Sequence, residues 1–243
     1  MLPELTQDEF SSALDGVAAG VLANIPQSAP PVDALALART LGLAVAWDEQ
    51  QLGRGRMARL AGRSGAANQG SILLRPDPRR ERLQWAVAHE IGEWCAHQVF
   101  RHLSVDPREA PPAARESVAN QLASRILLPR DDFERDARDC GWDLLQLKTR
   151  YATASHELIA RRMLDFTPAV IITIFDQGRR TFRRGNLPFR APPLGHLEQA
   201  ASRACLETAE TIFESDSGLN IQVWPIHEAG WKREIMRTEW LAE

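Results

Sequence analysis

The chain has 243 residues, 44% of them hydrophobic, and a formal net charge of −3. That is enough apolar material for one large core or two small ones, and the slightly acidic balance gives no general pull toward nucleic acid. Three scattered cysteines, Cys95, Cys140 and Cys205, form no C-x-x-C pair, which argues against a disulfide scaffold or a cysteine-built zinc site and fits a reducing compartment.

The opening residues MLPELTQDEF are acidic where a secretory leader is basic and then apolar, and no stretch approaches the ~20 apolar residues of a membrane span. The expectation is a cytoplasmic protein with no membrane contact. Phe10, Leu14, Val17 and Val21 recur at helical spacing, predicting an amphipathic helix over 8–23. QSAPP (27–31) reads as a linker, and Val32–Leu41 repeats the helical pattern until Gly42 stops it. β-like runs at Leu43–Trp47, Arg56–Ala61 and Ser71–Leu74 predict a small antiparallel sheet.

After Arg75-Pro76-Asp77-Pro78 the pattern predicts a helix over about 80–100, a proline-rich break at 107–112 and a second helix over 115–128, closed by Pro129. Two or three further helices fill 130–165. From Thr167-Pro168 the texture turns β-rich, with strands at 169–175 and up to 184, a helix over 194–214, and strands at 219–226 and 232–238. The fold class is therefore α+β. An N-terminal helix and linker (1–31) precede a mainly helical domain with a small sheet (32–166), and a smaller α+β module (167–243) follows. The arginine-rich runs at 79–82 and 179–184 read as solvated faces or turns.

The chemistry sits in residues 88–93, Ala-His-Glu-Ile-Gly-Glu. In H-E-x-x-H, two histidines four apart bind zinc and the intervening glutamate serves as general base. Here His89 and Glu90 keep the first two letters, and Glu93 stands in the last place. A helix brings position i+4 to within about 40° of position i and about 6 Å along the axis, so His89 and Glu93 share a face. Zinc accepts carboxylate oxygen as well as imidazole nitrogen. Taken alone, H-E-x-x-E also reads as a helix with an ordinary charged face. Val87, Ile91, Trp94 and Cys95 form one stripe of that helix and Ala86, His89, Glu93 and Ala96 another, the small neighbours suggesting that the polar pair is covered by protein. The next helix, ESVANQLASRILLP, opens with Glu116 and carries Asn120 one turn on. Glu116 can close a tetrahedron from a second element and reads equally as an i,i+4 surface residue. Asn120 is a candidate to orient a ligand.

These pieces together resemble the ImmA/IrrE family of metallopeptidases. The resemblance runs in order through PVDALALARTLGLAVAW, GRGRMARLAG, SILLRP, RLQWAVAHEIGEWCAH, ESVANQLASRILLP and YATASHELIARRM. It implies a zincin-like domain in which His89 is the first ligand, Glu90 the general base and Glu116 the third ligand, with Glu93 in the place of the second ligand histidine. His97, about 12 Å further along the same helix, is assigned a packing or surface role. His102 has no spacing that demands a ligand role, and His156, His196 and His227 have no partner pattern. Tyr151 is assigned to the core, its hydroxyl a candidate to polarise a carbonyl.

The cofactor expected is one divalent ion, zinc first, with manganese or iron as competitors because two carboxylates enrich the site in oxygen. One imidazole and two carboxylates cancel the charge of such an ion, so it acidifies water less, and a weaker or more alkaline activity follows. The resemblance implies a metal-dependent endopeptidase acting in stress response or transcription regulation on a regulatory protein such as a DNA-binding repressor, with no direct contact to nucleic acid. The alternative is an inactive peptidase fold that binds a protein partner. No phosphate-binding or dinucleotide glycine motif supports a nucleotide enzyme.

Overall fold

The computed structural model describes residues 6–25, 30–50, 53–59, 70–216 and 218–240. The expected linker at 27–29 and the strand end at 60–61 lie outside them. Eight α-helices and two sheets are present among the described residues, an α+β fold. None of these helices is long and apolar enough to cross a membrane.

The chain divides into two compact units, residues 1–135 with 150–155, and residues 136–149 with 156–243. The first unit opens with α1 (Gln7–Leu22), where Thr6 accepts from the Glu9 amide and Glu9 reaches back to the Thr6 amide, a reciprocal cap that satisfies two orphan donors. Asp33 caps α2 (Ala34–Thr40) through the Leu35 and Ala36 amides. Three strands follow, β1 (Ala44–Trp47), β2 (Gly55–Arg59) and β3 (Gly70–Leu74), in the order β1-β3-β2. β2 runs antiparallel to β3, but β1 runs parallel to it. The sheet is thus mixed where a wholly antiparallel one was expected: short hydrophobic runs report strand content, not the direction in which strands meet.

Helix α3 (Arg80–His102) carries the H-E-x-x-E segment and α4 (Pro112–Leu127) lies against it. α4 starts three residues before the expected position, because a proline at N1 loses no hydrogen bond that a helix start would have made. Val87, Ile91 and Cys95 of α3 are fully buried, as are Ala119, Leu122, Ala123 and Ile126 of α4. Gln84, also fully buried, accepts from the Ala34 amide and donates to Asp33, tying the start of α2 to α3. Arg125 of α4 pairs with Asp15 of α1 at 3.0 Å and donates to Ser11. Tyr151 is buried as expected, its ring 5.3 Å from that of Phe133.

α5 (Arg130–Asp139), α6 (Leu144–Arg150) and α7 (His156–Arg162) complete the helical stretch. The second unit is built on a five-stranded antiparallel sheet of β4 (Val170–Asp176), β5 (Arg179–Gly185), β6 (Ile212–Asp216), β7 (Leu219–Pro225) and β8 (Arg233–Trp240), in the order β5-β4-β8-β7-β6. α8 (His196–Thr208) packs Ala201 and Cys205 against Phe175, Val223 and Met236 of the sheet. The expected helix over 194–214 ends early. Ala209 adopts a left-handed conformation with φ 57°, and residues 212–216 leave to pair with β7. Among the three free cysteines, burial pushes the Cys95 and Cys205 thiols up to about 12, so both behave as small apolar side chains.

Asp15→Ala removes the carboxylate that lies 3.0 Å from the Arg125 guanidinium, a group only 3% exposed. Removing one partner of a buried pair costs about 3 kcal/mol, to be read as a lowered midpoint in chemical denaturation.

Candidate metal centre

His89, Glu93 and Glu116 come together across the α3/α4 contact, with one ligating atom from each within 4.8 Å of the others. His89 Nε2 lies 3.9 Å from Glu93 Oε1 and 3.7 Å from Glu116 Oε2. A tetrahedral zinc with bonds of about 2.0–2.1 Å sets its donors about 3.4 Å apart. Both histidine–carboxylate distances are within about half an ångström of that spacing, while the two carboxylates, held within 4.8 Å of each other, would close further around an ion. One neutral imidazole and two carboxylates suit a small divalent cation, so the residues fit the ion the sequence implied. His89 is 17% exposed, while Glu93 and Glu116 are 45% and 56% exposed. The centre thus opens to solvent on its carboxylate side, less covered than the alanines beside it suggested.

Asn120 decides which nitrogen of His89 is free. Its Nδ2 donates to Glu116 Oε1 at 3.0 Å, and its Oδ1 faces His89 Nδ1 at 3.1 Å. A carboxylate only accepts, so the amide must turn its NH₂ toward Glu116 and its oxygen toward the imidazole. The proton then resides on Nδ1, leaving the Nε2 lone pair on the side of the two carboxylates. One neutral side chain thereby orients two of the three candidate ligands.

The close approach of the helices depends on Gly92. A Cβ placed there would meet the Ala119 carbonyl oxygen at 2.5 Å and Ala119 Cα at 3.2 Å. Gly92 lies on the same side of α3 as His89 and Glu93, and Ala119 lies between Glu116 and Asn120 on α4. The contact point of the helices is therefore the site itself. Its signal in the sequence is an isolated glycine inside a helical pattern.

Glu90, one residue from the first candidate ligand, is 3% exposed. A Cβ at Gly55 would lie 2.8 Å from its Oε1, so the bare backbone of β2 leaves room for this carboxyl. The Arg75 amide donates to Arg54 O, which by the alternation of an antiparallel ladder turns the backbone groups of Gly55 and Met57 away from β3. The Met57 amide bonds to Glu90, while Glu90 Oε2 is buried with no hydrogen-bond partner. Burial, then the charge of Glu93, push Glu90 up to about 7; the Met57 amide works against them, and Glu116 adds a smaller push. A carboxyl poised near neutrality can both take and return a proton. Gly55 and Met57 lie in the GRGRMARLAG segment, but nothing in it pointed to Glu90, since the packing joins a strand and a helix remote in sequence.

His97 sits outside the three-residue cluster, its Nδ1 2.9 Å from Trp94 O. His227 lies in the other unit, 2.6 Å from buried Glu234.

Residues 50–164 match the family described as the IrrE N-terminal-like domain. No curated protein matches the chain. Among solved structures, a Mycobacterium tuberculosis transcriptional regulator superposes with a TM-score of 0.68, at 13% identity, covering 96% of this chain and 78% of that one. At that identity the likeness is one of fold.

Gly92→Ala would gain up to about 1 kcal/mol of helix propensity, but the clash is with backbone, which cannot rotate aside. The expected net effect is a loss of about 1–3 kcal/mol in thermal or denaturant unfolding, with loss of metal uptake. Asn120→Ala should leave the fold standing and weaken metal binding by about 10–100-fold, as read by competition with a chromogenic chelator.

Proposed function

We propose, from the match of residues 50–164 to the IrrE N-terminal-like family, that this protein is a metal-dependent endopeptidase of the ImmA/IrrE type acting on a regulatory protein, such as a repressor. The observation that carries this reading is the meeting of His89, Glu93 and Glu116 beside a buried, half-satisfied Glu90. His89, Glu93 and Glu116 would hold the ion, with zinc first and manganese or iron as alternatives. When bound, the ion supplies Lewis-acid polarisation of a peptide carbonyl and of water.

The chain's own residues do the rest. Glu90 takes a proton from water as its oxygen attacks the scissile carbonyl carbon, and returns it to the amine nitrogen as the C–N bond breaks. The Met57 amide and the space at Gly55 hold that carboxyl in place. β2 pairs only with β3 among the described strands, so the outward backbone groups that Glu90 leaves open give an extended substrate an edge to lie along. Asn120 keeps His89 in the ligating tautomer. Glu93 makes the site electrically neutral once a divalent ion is present, which favours an alkaline optimum. The same residue supports a second reading, a peptidase fold that binds a protein partner without cutting it.

Elemental mass spectrometry of the purified protein separates the two. The expected result is about one ion per chain, lost in Glu93→Ala and in Glu116→Ala. Glu90→Gln should keep the ion and cut the cleavage of a fluorogenic peptide library by about 10²–10⁴-fold. No ion after supply of zinc or manganese would overturn the peptidase and leave the binding module.

A further inference from the structure

A cleft of about 930 Å³ opens from the metal centre, sharing Glu93 and Glu116 with it. It runs along the C-terminal half of α3. Glu93, His97 and Arg101 follow at i, i+4 and i+8 and all line it, so one helix face leads from a candidate ligand to a guanidinium about 12 Å away. Arg115, next to Glu116 on α4, and Arg108 complete a basic wall, and Phe100 contributes an apolar surface.

The cleft lining carries three arginines, Arg101, Arg108 and Arg115, and three carboxylates, Asp106, Glu93 and Glu116, the last two being candidate ligands whose charge a divalent ion would offset. Arg108 is held by Asp106 at 2.8 Å. Neither Arg101 nor Arg115 has a carboxylate partner among the described residues. His97 has Nδ1 engaged by the Trp94 carbonyl, which leaves Nε2 free. A second, shallower recess shares His97 and Arg101 and adds His102. The basic track therefore continues beyond the first cleft.

We propose that this cleft receives an acidic segment of the protein substrate, with Arg101 and Arg115 as the residues that select it. The inference rests on the peptidase reading for its word "substrate", though not for the binding itself. A peptide suits the cleft better than a nucleic acid. Its backbone is neutral, so a single acidic side chain can sit among the arginines while the main chain passes Glu93 and Glu116. A phosphate backbone would bring a charge at every step against those glutamates and Asp106. Arg101 and Arg115 are specificity residues, and the reaction chemistry stays with Glu90 and the ligands.

The test is binding of short fluorescein-labelled peptides to the full-length Glu90→Gln protein, read by fluorescence anisotropy at low salt. The peptides are identical except for glutamate, glutamine or lysine at the central positions. The glutamate peptide should bind about two- to fivefold more tightly than the glutamine peptide for each exposed arginine engaged. Arg101→Gln with Arg115→Gln should erase the preference, and Arg101→Glu with Arg115→Glu should invert it toward lysine, with thermal midpoint and metal content unchanged. Equal binding of the three peptides, or a glutamate preference that survives both double variants, overturns the proposal. Duplex DNA bound more tightly than the glutamate peptide and lost in the same variants also overturns it, in favour of a nucleic-acid face. A glutamate preference in a protein that takes up no ion supports the acidic segment while removing the peptidase. Cleavage by the wild type without any acid preference removes the segment and keeps the peptidase.

Discussion

The contact between Gly92 and Ala119 governs the functional half of this molecule. Two helices normally pack with axes 8–10 Å apart, at a distance set by the side chains between them. Here one helix presents no side chain at the crossing and the other only a methyl group, so backbone meets backbone. The residues flanking the crossing are those with chemistry: His89 and Glu93 on one helix, Glu116 and Asn120 on the other. A wider separation would leave a histidine–glutamate pair on one helix and a solvated glutamate on the next. Val87 and Ile91 on one helix and Leu122 and Ile126 on the other are fully buried, which holds the two helices in the core.

Environment, more than residue type, divides the labour among three glutamates. Glu93 and Glu116 are half exposed and point charge at His89. Glu90 is taken from water by the backbone of β2, and desolvation disfavours its charged form. The same carboxyl group thus offers candidate ligands in one setting and, in the proposed peptidase, a proton carrier in the other. The glycines at 55 and 92 act alike in this, since each removes a Cβ where a carboxyl or a backbone carbonyl must come close.

The second unit uses buried charge to fix a helix on a sheet. Arg183 forks onto Glu198 with two contacts of 3.0 Å and donates to Thr173, while Glu198 also accepts from Thr238 and the Gly195 amide. Both side chains are nearly inaccessible, so their charges are tolerable only because every neighbour is a complementary group. The run at 179–184 read from sequence as solvated, and for Arg183 that fails because Glu198 of α8 reaches its guanidinium and the pair is shut off from water. Such a network sets the position of α8 more sharply than apolar contact alone would.

The sequence by itself determined most of the local structure. The 3.6-residue period marked α1, α2 and α3, β-branched runs marked the strands, and the four-residue spacing put His89 and Glu93 on one face. These depend on neighbours along the chain, and the periodicity of a helix or strand is written in them directly. Only the tertiary structure decided that Glu116 lies beside His89, that Asn120 bridges the two, that Gly55 roofs Glu90, that β1 runs parallel to β3, and that α8 stops at Thr208 so that 212–216 can pair as a strand. Each of these depends on which surfaces meet after folding. A residue's spacing fixes the face it occupies; what lies opposite that face is decided by the packing of segments remote in the chain.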